Sequence, residues 1–425
     1  MKALTAIDRL GVGNASIVTA QLASSRYRRH WVNLGWLLAV SLLVSVPLFY
    51  RALFGMIVAD HDVHVRFVQR GVEVGVWPAH FLFQALVYGL SGFSHEFATL
   101  AWAALVLLTT CVIAKAWLSY ALLVRHCPRL PTATFEDTYG LSHTTVLALV
   151  TVALLLSAPI MRPWSTNRIY LGQISPNIWH NPTSVLCWPL VILLFFAADA
   201  FLRSRRLREL VAVGLLAALS VLAKPNYFLA FAPAYGLLAV RHFGISRLWL
   251  LSQLALVPTV MLLCWQLTTS FDGTNAMRPG MHIAWMPLSG WRVHSHSIPL
   301  SLLFSLAFPL SYLWVFRRSV QNRDMLLFAW GVMISALIWT GCFAEVYDRD
   351  GTVNGDFNFS WGSHLSLFVL FLVTAMDMTD NPAAMNAISR NPLGERIERL
   401  PWWLLGAHAA SGMLWIFRQV IGKGY

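Results

Sequence analysis

Long apolar runs separated by short polar stretches recur along almost the whole chain. Eleven of them read as membrane spans, at 32–53, 97–123, 141–161, 182–202, 209–223, 225–241, 248–269, 298–316, 325–345, 360–377 and 401–420. A span needs ~20 mainly apolar residues to cross ~30 Å of hydrocarbon. Every backbone polar group must be satisfied internally there, so the spans are expected to be helices. The period-two alternation of a membrane barrel is not seen. The apolar stretch at 77–93 is too short to cross, and it predicts a helix lying in the interface. Pro225 cannot donate a backbone hydrogen bond and disfavours helix at Lys224, so 209–241 is expected to break into two spans. The fold class is therefore all-α: a polytopic membrane protein with about eleven transmembrane helices and interfacial helices in its first loop. The expected organisation is an N-terminal segment 1–31, one membrane domain 32–420 with a first loop at 54–96, a connector at 378–400, and a tail 421–425. No internal repeat or low-complexity segment is evident.

Composition agrees with this reading. Hydrophobic residues make up 57% of the chain and charged residues 12%, against ~25% charged in soluble proteins. The net charge of +12 raises the question of nucleic acid, but the distribution of basic residues answers it. With the N-terminus in the cytoplasm, 19 of the 31 Lys and Arg fall on that side, 11 on the other, and Lys115 within a span. The tight clusters at 203–208 and 317–323 both fall inside, as the positive-inside tendency requires. A full crossing at 77–93 would put both clusters outside. No cleavable signal peptide is evident, because the polar N-terminal residues lead into a run long enough to span. The five cysteines, Cys111, Cys127, Cys187, Cys264 and Cys342, lie in or beside spans without metal or disulfide spacing.

Acidic residues are scarce, 19 against 31 basic ones, yet Asp60 and Asp62 lie together just after the first span. On a helix Asp60 shares a face with His64, four residues on, whereas Asp62 points away. A partly desolvated carboxylate at the membrane surface can accept a proton from a hydroxyl; the same residues also suit a solvated helix end. Lys224 is a lone ammonium at a helix break, fit to meet a lipid phosphate or to snorkel to the headgroups. The loop 162–181 carries Arg162, Arg168, Asn177, His180 and Asn181, stiffened by Pro176 with Pro182 just beyond, and Trp179 is expected at the interface. Such a loop suits sugar or phosphate recognition and suits interface anchoring equally. The loop 270–297 holds Arg278, His282, His294 and His296, without a convincing third and fourth ligand for zinc. Asp348, Asp350 and Asp356 suit a divalent cation, a sugar or a solvated loop.

These motifs resemble the GT-C superfamily of polytopic glycosyltransferases, in its bacterial polysaccharide branch. The resemblance rests on Asp60 to His64 in the first loop, on Pro78-Ala79-His80-Phe81-Leu82, on Pro176-Asn177-Ile178-Trp179-His180-Asn181-Pro182-Thr183, and on Ala223-Lys224-Pro225-Asn226. It implies an inverting glycosyltransferase of the bacterial inner membrane with a periplasmic active site. The partners it implies are a polyprenyl-phosphate-linked sugar donor, a lipid-linked or glycan acceptor and membrane lipids, with no nucleic acid. Asp60 carries over as the base, with Asp62 a second acid or a bystander. His64 and His80 carry over as site-lining residues. Lys224, with Arg162 or Arg168, would stabilise the departing phosphate, and Asn177, His180, Asn181, Asn226 and Arg278 would contact substrate. No cofactor is assigned, and a divalent cation stays open. A polysaccharide polymerase or O-antigen ligase, and a transporter of lipid-linked glycans, are the competing readings.

Overall fold

The computed structural model describes residues 4–127, 142–160, 172–271, 280–389 and 397–422, with side chains from Arg28 onward. The first half runs through α1 (Leu4–Leu53), α2 (His61–Val74), α3 (Leu82–Leu90), α4 (Phe97–His126), α5 (His143–Leu156), α6 (Pro182–Ser204), α7 (Leu207–Ala223) and α8 (Asn226–Phe243). The second half contains α9 (Arg247–Leu254), α10 (Val257–Phe271), β1 (Met281–Trp285), α11 (Ser289–His294), α12 (Ile298–Phe316), α13 (Arg323–Cys342), β2 (Phe343–Tyr347), α14 (Ser360–Asp380), α15 (Pro382–Ser389) and α16 (Leu400–Val420). Each of the eleven predicted spans contains a helix, although the one predicted at 141–161 is helical only over His143–Leu156 among its described residues. Among the described residues, seven helical stretches are long and apolar enough to cross a membrane. The protein is thus an all-α, multi-pass membrane protein.

The bundle is built around α14. Its most apolar window is buried along its whole length, and it packs against α13, α8, α12, α6, α4 and α5. A helix that is apolar all round belongs in such a position. Small residues let its neighbours approach closely. A Cβ on Gly362 would stand 2.6 Å from the carbonyl oxygen of Asn226, so this helix runs directly against the break between α7 and α8.

That break forms as the sequence predicts. The N–H of Lys224 closes the last turn of α7 on the Ser220 carbonyl at 2.7 Å, and Lys224 itself is extended, with φ −166° and ψ 117°. Pro225 supplies no N–H, and α8 begins one residue later.

Several expectations are corrected. Only 82–90 of the predicted interfacial helix 77–93 is helical, because the chain turns back first. Before it, α2 buries His61, His64, Val65, Val68 and Gly71 along one face. It ends at Gly75 in the left-handed region, φ +75°, a common helix stop. The Trp77 ring then packs on Gly71, where a Cβ would stand 2.9 Å from it. The first helix starts at Leu4, so the predicted polar segment 1–31 is largely helical. The predicted span 248–269 stands, since α9 and α10 together form one stretch, Arg247–Phe271, long and apolar enough to cross, with a turn at 255–256. The connector 378–400 contains α15. The span predicted to reach residue 345 stops at Cys342, and β2 pairs antiparallel with β1, setting Glu345 opposite Ile283. Trp179, expected at the interface, is buried against Trp188, with ring centroids 5.6 Å apart.

Gly362→Ala is expected to destabilise the protein by ~1–3 kcal/mol, the usual cost of overpacking. The measurement is a lowered melting temperature of the detergent-solubilised protein; wild-type melting would show that the Asn226 backbone yields freely.

Candidate active site

A cavity of about 1140 Å³ opens where the first loop, the segment before α6, the α7–α8 break and the β1–β2 pair meet. It exceeds the ~300–1,000 Å³ of sites for drug-sized ligands. One wall is polar and the other is not. Leu229, Leu263, Leu267, Phe271, Ile283 and Trp339 form the apolar wall, largely from α8 and α10.

Asp60 sits at the N-cap of α2. Its N–H donates to the His180 carbonyl at 2.9 Å, and its own carbonyl accepts from the His64 N–H at 3.0 Å. An N-cap aspartate normally turns its carboxylate onto the helix N–H groups, a contact worth ~1 kcal/mol. Here no side-chain cap bond forms. The Oδ2 atom instead accepts from Asn181 Nδ2 at 2.9 Å, and the residue lines the cavity. A forgone local stabilisation of this kind marks a position shaped by function.

Asn181 joins this carboxylate to a cation. Its Oδ1 accepts from Lys224 Nζ at 3.0 Å, from Thr183 Oγ1 at 2.8 Å and from the Ser184 N–H at 3.1 Å, which caps α6. These donors fix which end of the amide carries the oxygen. Lys224 is buried. Its Nζ also donates to Thr183 Oγ1 at 3.1 Å and lies 4.7 Å from the Trp361 ring centroid. Two hydrogen bonds and the width of one amide therefore separate Asp60 Oδ2 from Lys224 Nζ, an upper bound of about 8 Å.

Burial lowers the pKa of three histidines around this pair. Burial holds His64 well below its ordinary pKa, helped by His80, Lys224 and His61 nearby. Its Nδ1 makes a 2.9 Å contact with Gln84 Nε2, which donates, so the ring proton sits on Nε2. His61, fully buried with its ring centroid 5.3 Å from that of Phe49, is lowered to about 3 by burial and then by His180. Burial also lowers His180, with Lys224 adding to the effect and Asp60 opposing it.

The wall formed by β2 and the chain that follows it carries two more carboxylates held by amides. Glu345 Oε2 accepts from Asn358 Nδ2 at 2.8 Å and from Asn354 Nδ2 at 3.1 Å. Asn354 Nδ2 also reaches Asp356 Oδ2 at 3.1 Å. Asn226 Nδ2 donates to the Asn358 carbonyl at 2.9 Å, tying this wall to the break below Lys224. Fixed carboxylate and amide oxygens on a concave wall suit a ligand rich in hydroxyl groups. Among the described lining residues, one lysine faces the three carboxylates Asp60, Glu345 and Asp356.

Of the residues singled out in the sequence, Asp60, His64, His80, His180, Asn181, Lys224 and Asn226 line this one cavity. Asp62 does not; it points along α2 toward Arg66, 3.9 Å away. Asn177 lies beneath the cavity, bonded to Lys115 and to the carbonyls of Leu154 and Ser157. Arg162, Arg168 and Arg278 fall outside the described residues. His282 pairs with Asp348, and His294 contacts the Gly355 carbonyl at 2.9 Å. No three metal-ligating side chains converge among the described residues. Gln84, Glu345, Asn354 and Asn358 escaped sequence reasoning. The available signal for Glu345 was a carboxylate inside a predicted span, which marks a functional position by default.

A scan of the chain against protein-family models finds no match, and a search among curated proteins finds none either.

Neutral buried imidazoles make stability depend on pH. The unfolded chain protonates these rings near their ordinary value of 6.5, whereas folded His61 takes a proton only at about 3. This contribution is fully present above pH 6.5. It is lost as pH falls toward 3, by up to ~1.4 kcal/mol per pH unit for each ring. The melting temperature is expected to drop between pH 7 and pH 5, and His61→Phe to make that drop shallower. A flat profile for the wild-type protein would contradict neutral burial.

Proposed function

We propose that this protein is an inverting glycosyltransferase that moves a sugar from a polyprenyl-phosphate donor to a lipid-linked or glycan acceptor. The observation that carries the reading is the coupling of Asp60 and Lys224 through Asn181 on one large cavity with an apolar wall. In this reading Asp60 accepts the proton of the acceptor hydroxyl. The oxygen attacks the anomeric carbon from the face opposite the phosphate, and a new glycosidic bond forms. The bond from that carbon to the phosphate oxygen breaks, and the oxygen leaves with the electron pair. Lys224 offsets the charge that develops on it. His64, held as its Nε2–H tautomer, donates to a sugar or phosphate oxygen without adding charge. The amides and carboxylates around Glu345 bind sugar hydroxyls, and the apolar wall from α8 and α10 takes the first prenyl units.

The proposal includes eleven membrane crossings, a GT-C-like arrangement and a cytoplasmic N-terminus, with the cavity on the periplasmic side of a bacterial inner membrane. The distribution of Lys and Arg and the helix at each of the eleven positions support that topology. The position of Lys115 speaks against a transport pathway through this part of the bundle, since it is sealed away from the cavity.

The test is sugar transfer in proteoliposomes from a radiolabelled polyprenyl-phosphate donor to membrane glycolipid. Asp60→Asn is expected to lower kcat by ~10²–10⁴-fold, the range for loss of a general base. Lys224→Met is expected to lower it by ~10²–10³-fold, as for a lost charge-stabilising donor. Wild-type turnover by Asp60→Asn would remove Asp60 from the mechanism. Consumption of a diphosphate-linked oligosaccharide in place of the monophosphate donor would indicate a polymerase or ligase.

A further inference from the structure

Lys115 lies within α4 and is completely buried. No carboxylate pairs with it among the described residues. Its Nζ donates to Asn177 Oδ1 and lies between two rings, 3.4 Å from the centroid of Trp188 and 3.6 Å from that of Phe368. The two rings and the amide oxygen replace the water that an ammonium loses on burial. Snorkelling, the usual escape of a lysine from a membrane interior, is not what this side chain does.

The partner explains the position. Asn177 belongs to the non-helical stretch 172–181, which runs among the helices and ends at Asn181. Its amide is fully engaged. While Oδ1 faces Lys115, Nδ2 donates to the Leu154 carbonyl at 2.8 Å and to the Ser157 carbonyl at 2.6 Å, at the C-terminal end of α5. Such terminal carbonyls have no partner within their own helix. The stretch is also pinned where the Ile174 N–H meets Ser305 Oγ at 2.9 Å and the Ser175 N–H meets His364 Nδ1 at 2.8 Å. Three and four residues beyond Asn177 come the His180 carbonyl that receives the Asp60 N–H and the Asn181 amide that joins Asp60 to Lys224. Asn177 is thus the one side chain that ties this stretch to both α4 and α5, and Lys115 fixes which way its amide faces.

We propose that Lys115 is a positioning residue for the Asp60–Asn181–Lys224 array: it clasps the stretch 172–181 through Asn177 and holds its far end in register with the cavity. The clasp rests on the glycosyltransferase reading only for its effect on turnover; its structural part stands without it. A misplacement of ~1 Å at a reacting centre can cost about 10²-fold in rate, so a remote clasp acts on kcat more than on KM.

The experiment compares wild type with Lys115→Met and with the double variant Lys115→Met/Asn177→Leu, all as full-length protein in nanodiscs. Hydrogen exchange of the amides from 172 to 181 is measured together with sugar transfer from the polyprenyl-phosphate donor. Lys115→Met is expected to speed exchange over that stretch by ~10-fold or more and to lower kcat by ~10–100-fold, with KM within about 2-fold. The double variant also loses the Asn177 Nδ2 bonds to Leu154 and Ser157, so its exchange is expected to be at least as fast as that of the single one. Unchanged exchange in Lys115→Met overturns the clasp, and so does faster exchange with wild-type kcat. If Lys115→Met does not fold, Lys115→Gln keeps a donor for the Asn177 oxygen, and its exchange and kcat are expected between those of wild type and a kcat reduced 10-fold. A wild-type protein inactive on this donor ends the glycosyltransferase reading alone, and the exchange measurement still decides the clasp.

Discussion

A polar group that leaves water inside a bilayer must bring its hydrogen-bonding partner with it. The stretch from Gly172 to Asn181 faces that demand within the bundle. It is not helical, so it cannot satisfy its own backbone, and it lies among helices whose surfaces are mostly apolar. Ser305, His364 and the Asp60 N–H at the start of α2 partner its backbone, and Lys115 and the end of α5 partner the Asn177 amide. The cavity is a product of this accommodation. Its carboxylate, its amide and its cation are all held by the same network that lets irregular chain sit within the bundle.

The network also sets the electrostatics. Asn181 bridges a carboxylate and an ammonium, its Nδ2 donating to Asp60 and its Oδ1 accepting from Lys224. Burial keeps His61, His64 and His180 uncharged. The polar wall around Asp60 therefore draws its charge from Asp60 and Lys224, and the opposite wall from Glu345 and Asp356. A hydroxyl-rich headgroup on an apolar tail is complementary to such a cavity, with oxygen acceptors on one side and leucine and phenylalanine on the other.

Much of this was legible in the sequence, for identifiable reasons. Proline chemistry is local, so the break at Lys224-Pro225 could be read directly. Helical spacing placed Asp60 and His64 on one face with Asp62 pointing away, but it did not decide between Asp62 as a second acid and as a bystander, and Asp60 proved to be the cap and not a member of the helix. The β1–β2 pairing was not legible: it joins Ile283 to Glu345 across sixty residues of intervening chain, and an apolar run that ended near 345 hid the strand. The place of Asn177 away from the cavity was not legible, because the loop 162–181 does not reveal in sequence which of its side chains face inward. The apolar period of α2 was there to be read, but the scarcity of acidic residues drew attention to its first two turns only.

The helical pair α9 and α10 has a different character from the rest of the bundle. Only 17% of its most apolar window is buried within the protein, yet α10 supplies Leu263, Gln266, Leu267 and Phe271 to the cavity. Gln266 Nε2 ties α10 to the protein, donating to the Ala79 carbonyl at 3.1 Å and to the Val221 carbonyl at 3.0 Å, while most of the pair's surface faces outward. A change in bilayer thickness, or a move into a detergent micelle, is therefore expected to reach the cavity through this wall first.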